Sequence, residues 1–171
     1  MSDRVLSDAI EAFGFARQGT IGEATNIPVE RWDFRPHPHA KSVSELVRHI
    51  IEAGLMLVGE AADPDGDFTR RSPAEHVADH AGHLPATLGP GELMAALSSS
   101  LATCNERILA AGEHHWSTPI KRFDGESWTR LTYIFHATAH EQYHCGQLAT
   151  YARSMGLVPA LTKRIHGSDA S

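Results

Sequence analysis

Residues 136–156 read HATAHEQYHCGQLATYARSMG, with histidines at 136, 140 and 144. Gly156, with Pro159 beyond it, is a helix stop, so a long helix is predicted from about Trp128 to Ser154. Residues four apart on a helix are offset by only about 40°, which puts His140 and His144 on one face, a turn apart. Just upstream, Asp124-Gly125 between Phe123 and Trp128 reads as the turn of a small loop or hairpin.

The same periodicity predicts three more helices. One follows Pro90-Gly91, carries Leu93, Leu97, Leu101, Cys104 and Ile108 on a stripe, and stops at Gly112. Another opens at SVSE, where Ser42 caps and Glu45 completes a capping box. Its apolar face is Leu46, Ile50, Ala53, Leu57 and Val58, and it ends before ADPDGD. The first runs from about Asp3 to Asn26 with Val5, Ala9, Phe13 and Ala16 on its stripe, until Pro28 and RPHPH break it. Residues 62–90 hold Pro64, Gly66, Pro73, Gly82, Pro85 and Gly89, a long connection with room for a short helical turn. The expected fold is all-α: a four-helix bundle of the up-and-down type, with the long connection between helices 2 and 3.

Length and charge narrow the functions. A chain of 171 residues that is 42% hydrophobic suits one core, and residues 1–171 are read as a single domain. The formal net charge of −6 gives no electrostatic basis for binding a nucleic acid. The opening MSDRVLSDAIEAFGF mixes acidic with apolar residues and does not read as a signal peptide, and no segment reaches the roughly 20 apolar residues of a membrane span. Cys104 and Cys145 form no disulfide framework, which fits a reducing cytoplasm. The unusual count is 12 His.

His140 and His144 can converge on one ion, and imidazole suits zinc, nickel, copper and iron. A third ligand must come from elsewhere. His49, in LVRHIIEAG, is the best candidate, because an ionisable group amid an apolar stripe is costly without a partner. The bland alternative is that His49 is a satisfied core residue and the pair a chance feature of an exposed face. H-E-x-x-H also matches the zinc proteases, in which the Glu is a general base beside a metal-bound water. The extended protease motif would place Gly at 147 and His at 150, where this chain has Gln147 and Thr150, and no Glu follows Glu141. Glu141 is therefore expected to face sideways in the bundle, one position off the metal face.

HEQYHCGQLATYARSMGLVPA resembles the closing helix of the DinB-like family of metal-binding four-helix bundles, whose pattern is H-x-x-x-H-x-G-Q. IPVERWDFRPHPHAKSVSELVRHIIEAG resembles that family's passage from first to second helix: a Trp-containing loop, a Ser-capped helix, then a single His. The resemblance spans essentially the whole chain. It implies that His49, His140 and His144 are the metal ligands, with a divalent transition metal, often nickel or zinc, and frequently a homodimer. Cys145 departs from the basic residue that often follows the second His of the pair. Some relatives are thiol-dependent transferases or isomerases that act with low-molecular-weight thiols, which implies a small-molecule substrate. Many relatives have no established reaction, so a non-catalytic, stress-related metal-binding dimer stays open beside the metal-dependent transferase or hydrolase.

Three histidine ligands would leave coordination positions open for water or substrate, as in catalytic sites. Gln147 is a candidate hydrogen-bond partner behind a ligand, and Gly146 a candidate for close approach of a neighbouring helix. His136 continues the metal face with a further 40° of rotation, which suits a packing or supporting role. His76, His80 and His83 have helical spacing, but Gly82 and the loop-like surroundings suggest a solvated turn. Cys145 lies about 100° from the ligands and is expected to be a structural thiol.

Overall fold

The computed structural model describes residues 3–167; the ends of the 1–171 span read as one domain lie outside them. Ser42 and Glu45 cap one another as their spacing predicts: the Glu45 N–H donates to Ser42 Oγ and the Ser42 N–H to Glu45 Oε2. From this cap runs α2, Val43–Ala62, preceded by α1, Asp3–Thr25. Then come α3, Pro73–Ala81, α4, Pro90–Ala111, and the single turn α5, Glu113–Trp116. A hairpin of β1, Pro119–Lys121, and β2, Ser127–Thr129, leads into α6, Arg130–Ser154, and α7, Ala160–His166, closes the described chain. Helix α2 is buried nearly all round, with Leu46, Val47, Ile50, Ile51, Leu55, Leu57 and Val58 in the core. A helix apolar on every side belongs at the centre of a bundle.

The four long helices, α1, α2, α4 and α6, form the expected four-helix bundle with the long connection between its second and third members, but those two members run parallel, which corrects the up-and-down order. Their directions follow from what meets at their ends. Arg130, opening α6, donates to the Ala61, Asp63 and Pro64 carbonyls that end α2, and Tyr151 near the end of α6 donates to the Lys41 carbonyl just before α2, so these two are antiparallel. Arg48 near the start of α2 reaches the Pro85 carbonyl ahead of α4, and Arg107 late in α4 reaches the Leu55 carbonyl, so α2 and α4 are parallel. Parallel neighbours need a return the length of the bundle, and residues 63–89 supply it. Helices α1 and α2, consecutive in sequence, sit across the bundle from each other, each packing on α4 and α6.

Four local readings are corrected. The connection contains a full helix, α3, because Ser72 and Glu75 form a second capping box and Pro73, at the first helical position, starts the helix rather than breaking it. Trp128 belongs to β2, paired with Ile120 across the Asp124-Gly125 turn, where Gly125 has φ +86°. The stripe of α1 is completed by Leu6, while Val5 is exposed. Beyond Pro159 the chain turns helical again as α7.

The centre of the bundle is charged. Arg17 of α1 and Glu141 of α6 are 0% and 1% exposed and pair through two N–H···O bonds, Nε to Oε1 at 2.8 Å and Nη2 to Oε2 at 2.9 Å. Arg17 Nη1 also donates to the Leu97 carbonyl and Ser100 Oγ of α4, each at 2.6 Å. From α2 comes Gly54, where a Cβ would lie 3.0 Å from Arg17 Nη2. One guanidinium thus meets all four helices. In metal-free protein, Glu141→Gln is expected to cost ~3–5 kcal/mol, because it leaves a buried charge unpaired, while Arg17→Met with Glu141→Leu restores most of the loss. Urea melts of the three proteins check this.

Candidate metal centre

The antiparallel pairing of α2 with α6, tied at both ends, brings His49 level with His140 and His144. The Nε2 atoms of His49 and His140 are 3.2 Å apart, and those of His140 and His144 3.1 Å. Each of the three rings offers a nitrogen within 4.8 Å of the other two. Two bonds of about 2.0–2.1 Å from one ion to nitrogens at that spacing subtend about 100°, between the octahedral and tetrahedral angles. The donor set therefore fits one transition-metal ion. His144 Nδ1 lies 2.7 Å from Gln147 Oε1. An amide oxygen only accepts, so Nδ1 carries the proton and Nε2 keeps its lone pair for the common centre.

Burial supplies the protonation state that ligation requires. It pushes His49 down to about 4, with the neighbouring His144 and then Lys41 adding to the effect. It pushes His140 down to about 3, helped by His144, His49 and His136. His144 is also lowered by burial, partly offset by its bond to Gln147. At neutral pH all three imidazoles are uncharged, the state in which a ring nitrogen can bind a metal without first losing a charge-bearing proton.

The family model of the DinB superfamily matches residues 12–148. The chain belongs to the DinB superfamily. No curated protein matches it. Among solved structures, this DinB-superfamily chain is similar to a DinB-like protein of Bacillus subtilis at 21% identity and TM-score 0.67, covering 87% of this chain and 92% of that one. YfiT of Bacillus subtilis, described as a probable metal-dependent hydrolase with an unusual four-helix bundle topology, matches at 12% identity and TM-score 0.69, covering 92% and 91%. A mycothiol-dependent maleylpyruvate isomerase matches at 13% identity and TM-score 0.66, covering 84% of this chain and 60% of the isomerase. At these identities the likeness is one of fold.

Elsewhere in this DinB-superfamily chain, the other candidate residues fall into distinct places. His136 is separate from the trio and packs its ring on Trp128 and Tyr133. It lines a cavity of about 230 Å³ with Arg122, Phe123, Asp124, Trp128 and Tyr133, a turn of helix from His140. Glu141 is corrected from a side-facing residue to half of the buried ion pair, so the base that a zinc-protease reading needs is committed to Arg17. Gly146 has open space where a Cβ would stand, and the expected close approach is absent there. Burial raises the Cys145 thiol, which lies against Gly19 of α1, so it is a poor source of thiolate.

His76 and His80 are likewise corrected. They do not lie in a solvated turn but face Glu60 from α3, and His76 is 1% exposed. His83 stays on the surface. Sequence reasoning also missed Arg17, Glu60 and Arg130, whose partners lie far along the chain.

Lowered histidine pKa values make metal-free stability depend on pH. Below about 6.5 the unfolded chain takes up protons that folded His49 and His140 refuse, so stability falls as pH drops from 6.5 toward 4.5, by up to ~1.4 kcal/mol per pH unit for each of these two. This window lies above the carboxylate range. Urea midpoints of chelator-treated protein should fall across it, and His140→Gln should flatten the slope.

Proposed function

We propose that this chain is a metal-dependent enzyme in which His49, His140 and His144 hold one divalent transition metal, nickel or zinc before iron, and a low-molecular-weight thiol or water attacks a small electrophile. The reading rests on one observation above all, the convergence of three neutral imidazoles on a common point with Gln147 fixing the tautomer of His144. Bound there, the metal supplies Lewis acidity that makes a thiol or water nucleophilic at neutral pH. Three protein ligands leave positions for it, the arrangement of catalytic rather than closed structural sites. The His136 cavity, walled by Trp128, Tyr133 and Phe123 with Arg122 and Asp124 as its polar groups, is the neighbouring space for the electrophile.

The names of two relatives of like fold support the chemistry: one isomerase is mycothiol-dependent, and YfiT is described as a probable metal-dependent hydrolase. The transferase or hydrolase class is part of the proposal for the present chain. So are the homodimer and the reducing cytoplasm. Phe15 of α1 and Leu161 of α7 are exposed beside one another, apolar surface that a second copy would cover. Among the described residues, no helix is long and apolar enough to cross a membrane.

His140→Ala should remove one metal equivalent from untagged protein, and Gln147→Ala should weaken affinity at that site by ~10–100-fold through the loosened His144 ring. Metal analysis and competition with a chelator check both. The reaction is tested by incubating metal-loaded protein with low-molecular-weight thiols and small electrophiles, with His49→Ala as control. Metal-dependent turnover lost in the control is expected. No turnover, together with a large loss of thermal stability on chelation, would favour the non-catalytic metal-binding dimer.

A further inference from the structure

A second group of ligating side chains lies at the far end of α2. Glu60 stands eleven residues after His49, which on a helix is about 20° from the same face and ~16 Å along the axis. From α3, two histidines one turn apart approach it: His80 Nε2 at 2.9 Å and His76 Nδ1 at 3.2 Å, both from Glu60 Oε2. The plan matches the first centre, an i, i+4 histidine pair on one helix facing a single donor on α2. These donors, too, lie within 4.8 Å of one another.

The packing around the group is built for close approach. At Gly59 a Cβ would lie 2.5 Å from His80 Nδ1, so a glycine here leaves room for the His80 ring against α2. Glu60 Oε1 accepts from the Asp67 N–H at 2.7 Å and from Arg70 at 3.4 Å, which leaves Oε2 to the two imidazoles. His76 is 1% exposed, and its Nε2 has no hydrogen-bond partner among the described residues. A buried imidazole held through one nitrogen alone is costly unless that one contact is strong.

The group opens onto a polar cavity of about 400 Å³, whose wall also carries Asp63, Asp65 and Asp79. Its four carboxylates face two guanidinium groups, Arg70 and Arg71, the latter paired with Asp79. The balance favours a cation of charge two. Two imidazoles and a carboxylate are a donor set for zinc or a similar borderline ion, and one that leaves further positions facing the cavity.

We propose that Glu60, His76 and His80 form a second divalent transition-metal site, independent of the His49 centre, whose ion clamps α3 and the 63–72 loop onto α2. The proposal does not depend on the function assigned to the first centre. Zinc itself is the probe. Untagged, chelator-stripped protein is titrated with zinc against a competing chelator, followed by calorimetry and by the zinc-induced rise in melting temperature.

Wild type should bind two equivalents. The variant His140→Ala/His144→Ala should retain one and still gain thermal stability from zinc, and His80→Gln should lose one while keeping the other. Because His80 is less buried than Glu60 or His76, this variant tests the site without emptying the core; Glu60→Gln is the second variant, and should also lose one equivalent. If the first centre fails to bind, wild type takes one equivalent that His80→Gln removes and His140→Ala/His144→Ala does not, which still supports the second site. Wild type binding one equivalent that the His140→Ala/His144→Ala variant loses, or His80→Gln binding as much zinc as wild type, would overturn it.

Discussion

Arg17 enters the bundle from α1 at a depth where no water reaches it, so the other three helices must answer it. Helix α6 supplies Glu141, α4 supplies a carbonyl and Ser100 Oγ, and α2 supplies the absence of a side chain at Gly54. A buried ion pair of this kind is weak evidence of net stability, since apolar replacements of both partners are often as good. Its effect is on arrangement. A guanidinium with fixed donor directions accepts few packings of four helices, and the adopted one places Glu141 inward, which turns His140 and His144 toward α2.

The register of the histidine centre depends on the ends of the helices as much as on their middles. Arg130 gathers the last carbonyls of α2, and Tyr151 holds the carbonyl before its first turn. Between these two anchors α2 cannot slide along α6 without breaking one, and His49 stays level with its partners. The apolar residues that surround His49 then do a second job, desolvating the imidazoles so that they remain neutral and ready to ligate. Core packing and site chemistry are thus one constraint on α2.

Much of this is legible along the chain. Capping boxes, stripes and stops give the four long helices, and the i, i+4 pair with a lone His in an apolar helix gives the three residues that the fold brings together. What was not legible is mostly what depends on the neighbour. Helical geometry says that Glu141 lies about 100° from His140, but not that α1 stands there with an arginine. Glycine shows where a helix lacks a side chain, yet not whether anything approaches: close approach occurs at Gly54 and Gly59, and not at Gly146. Helix α3 was hidden differently. Its Ser72-Pro73-Ala74-Glu75 start carries the same capping signal as Ser42 to Glu45, masked by the prolines and glycines around it. Once α3 is a helix, His76 and His80 share a face and Glu60 gains its partners.

The central claim is that three neutral imidazoles from two antiparallel helices share one metal ion through Nε2. Anomalous diffraction at the absorption edge of a zinc- or nickel-loaded crystal tests it most directly. The account predicts a peak about 2.0–2.1 Å from Nε2 of His49, His140 and His144, with His144 Nδ1 still bonded to Gln147 and at least one non-protein ligand completing the shell. A peak held by fewer than three of these atoms, or by Nδ1 of His144, or no peak at the trio in fully loaded protein, would contradict it.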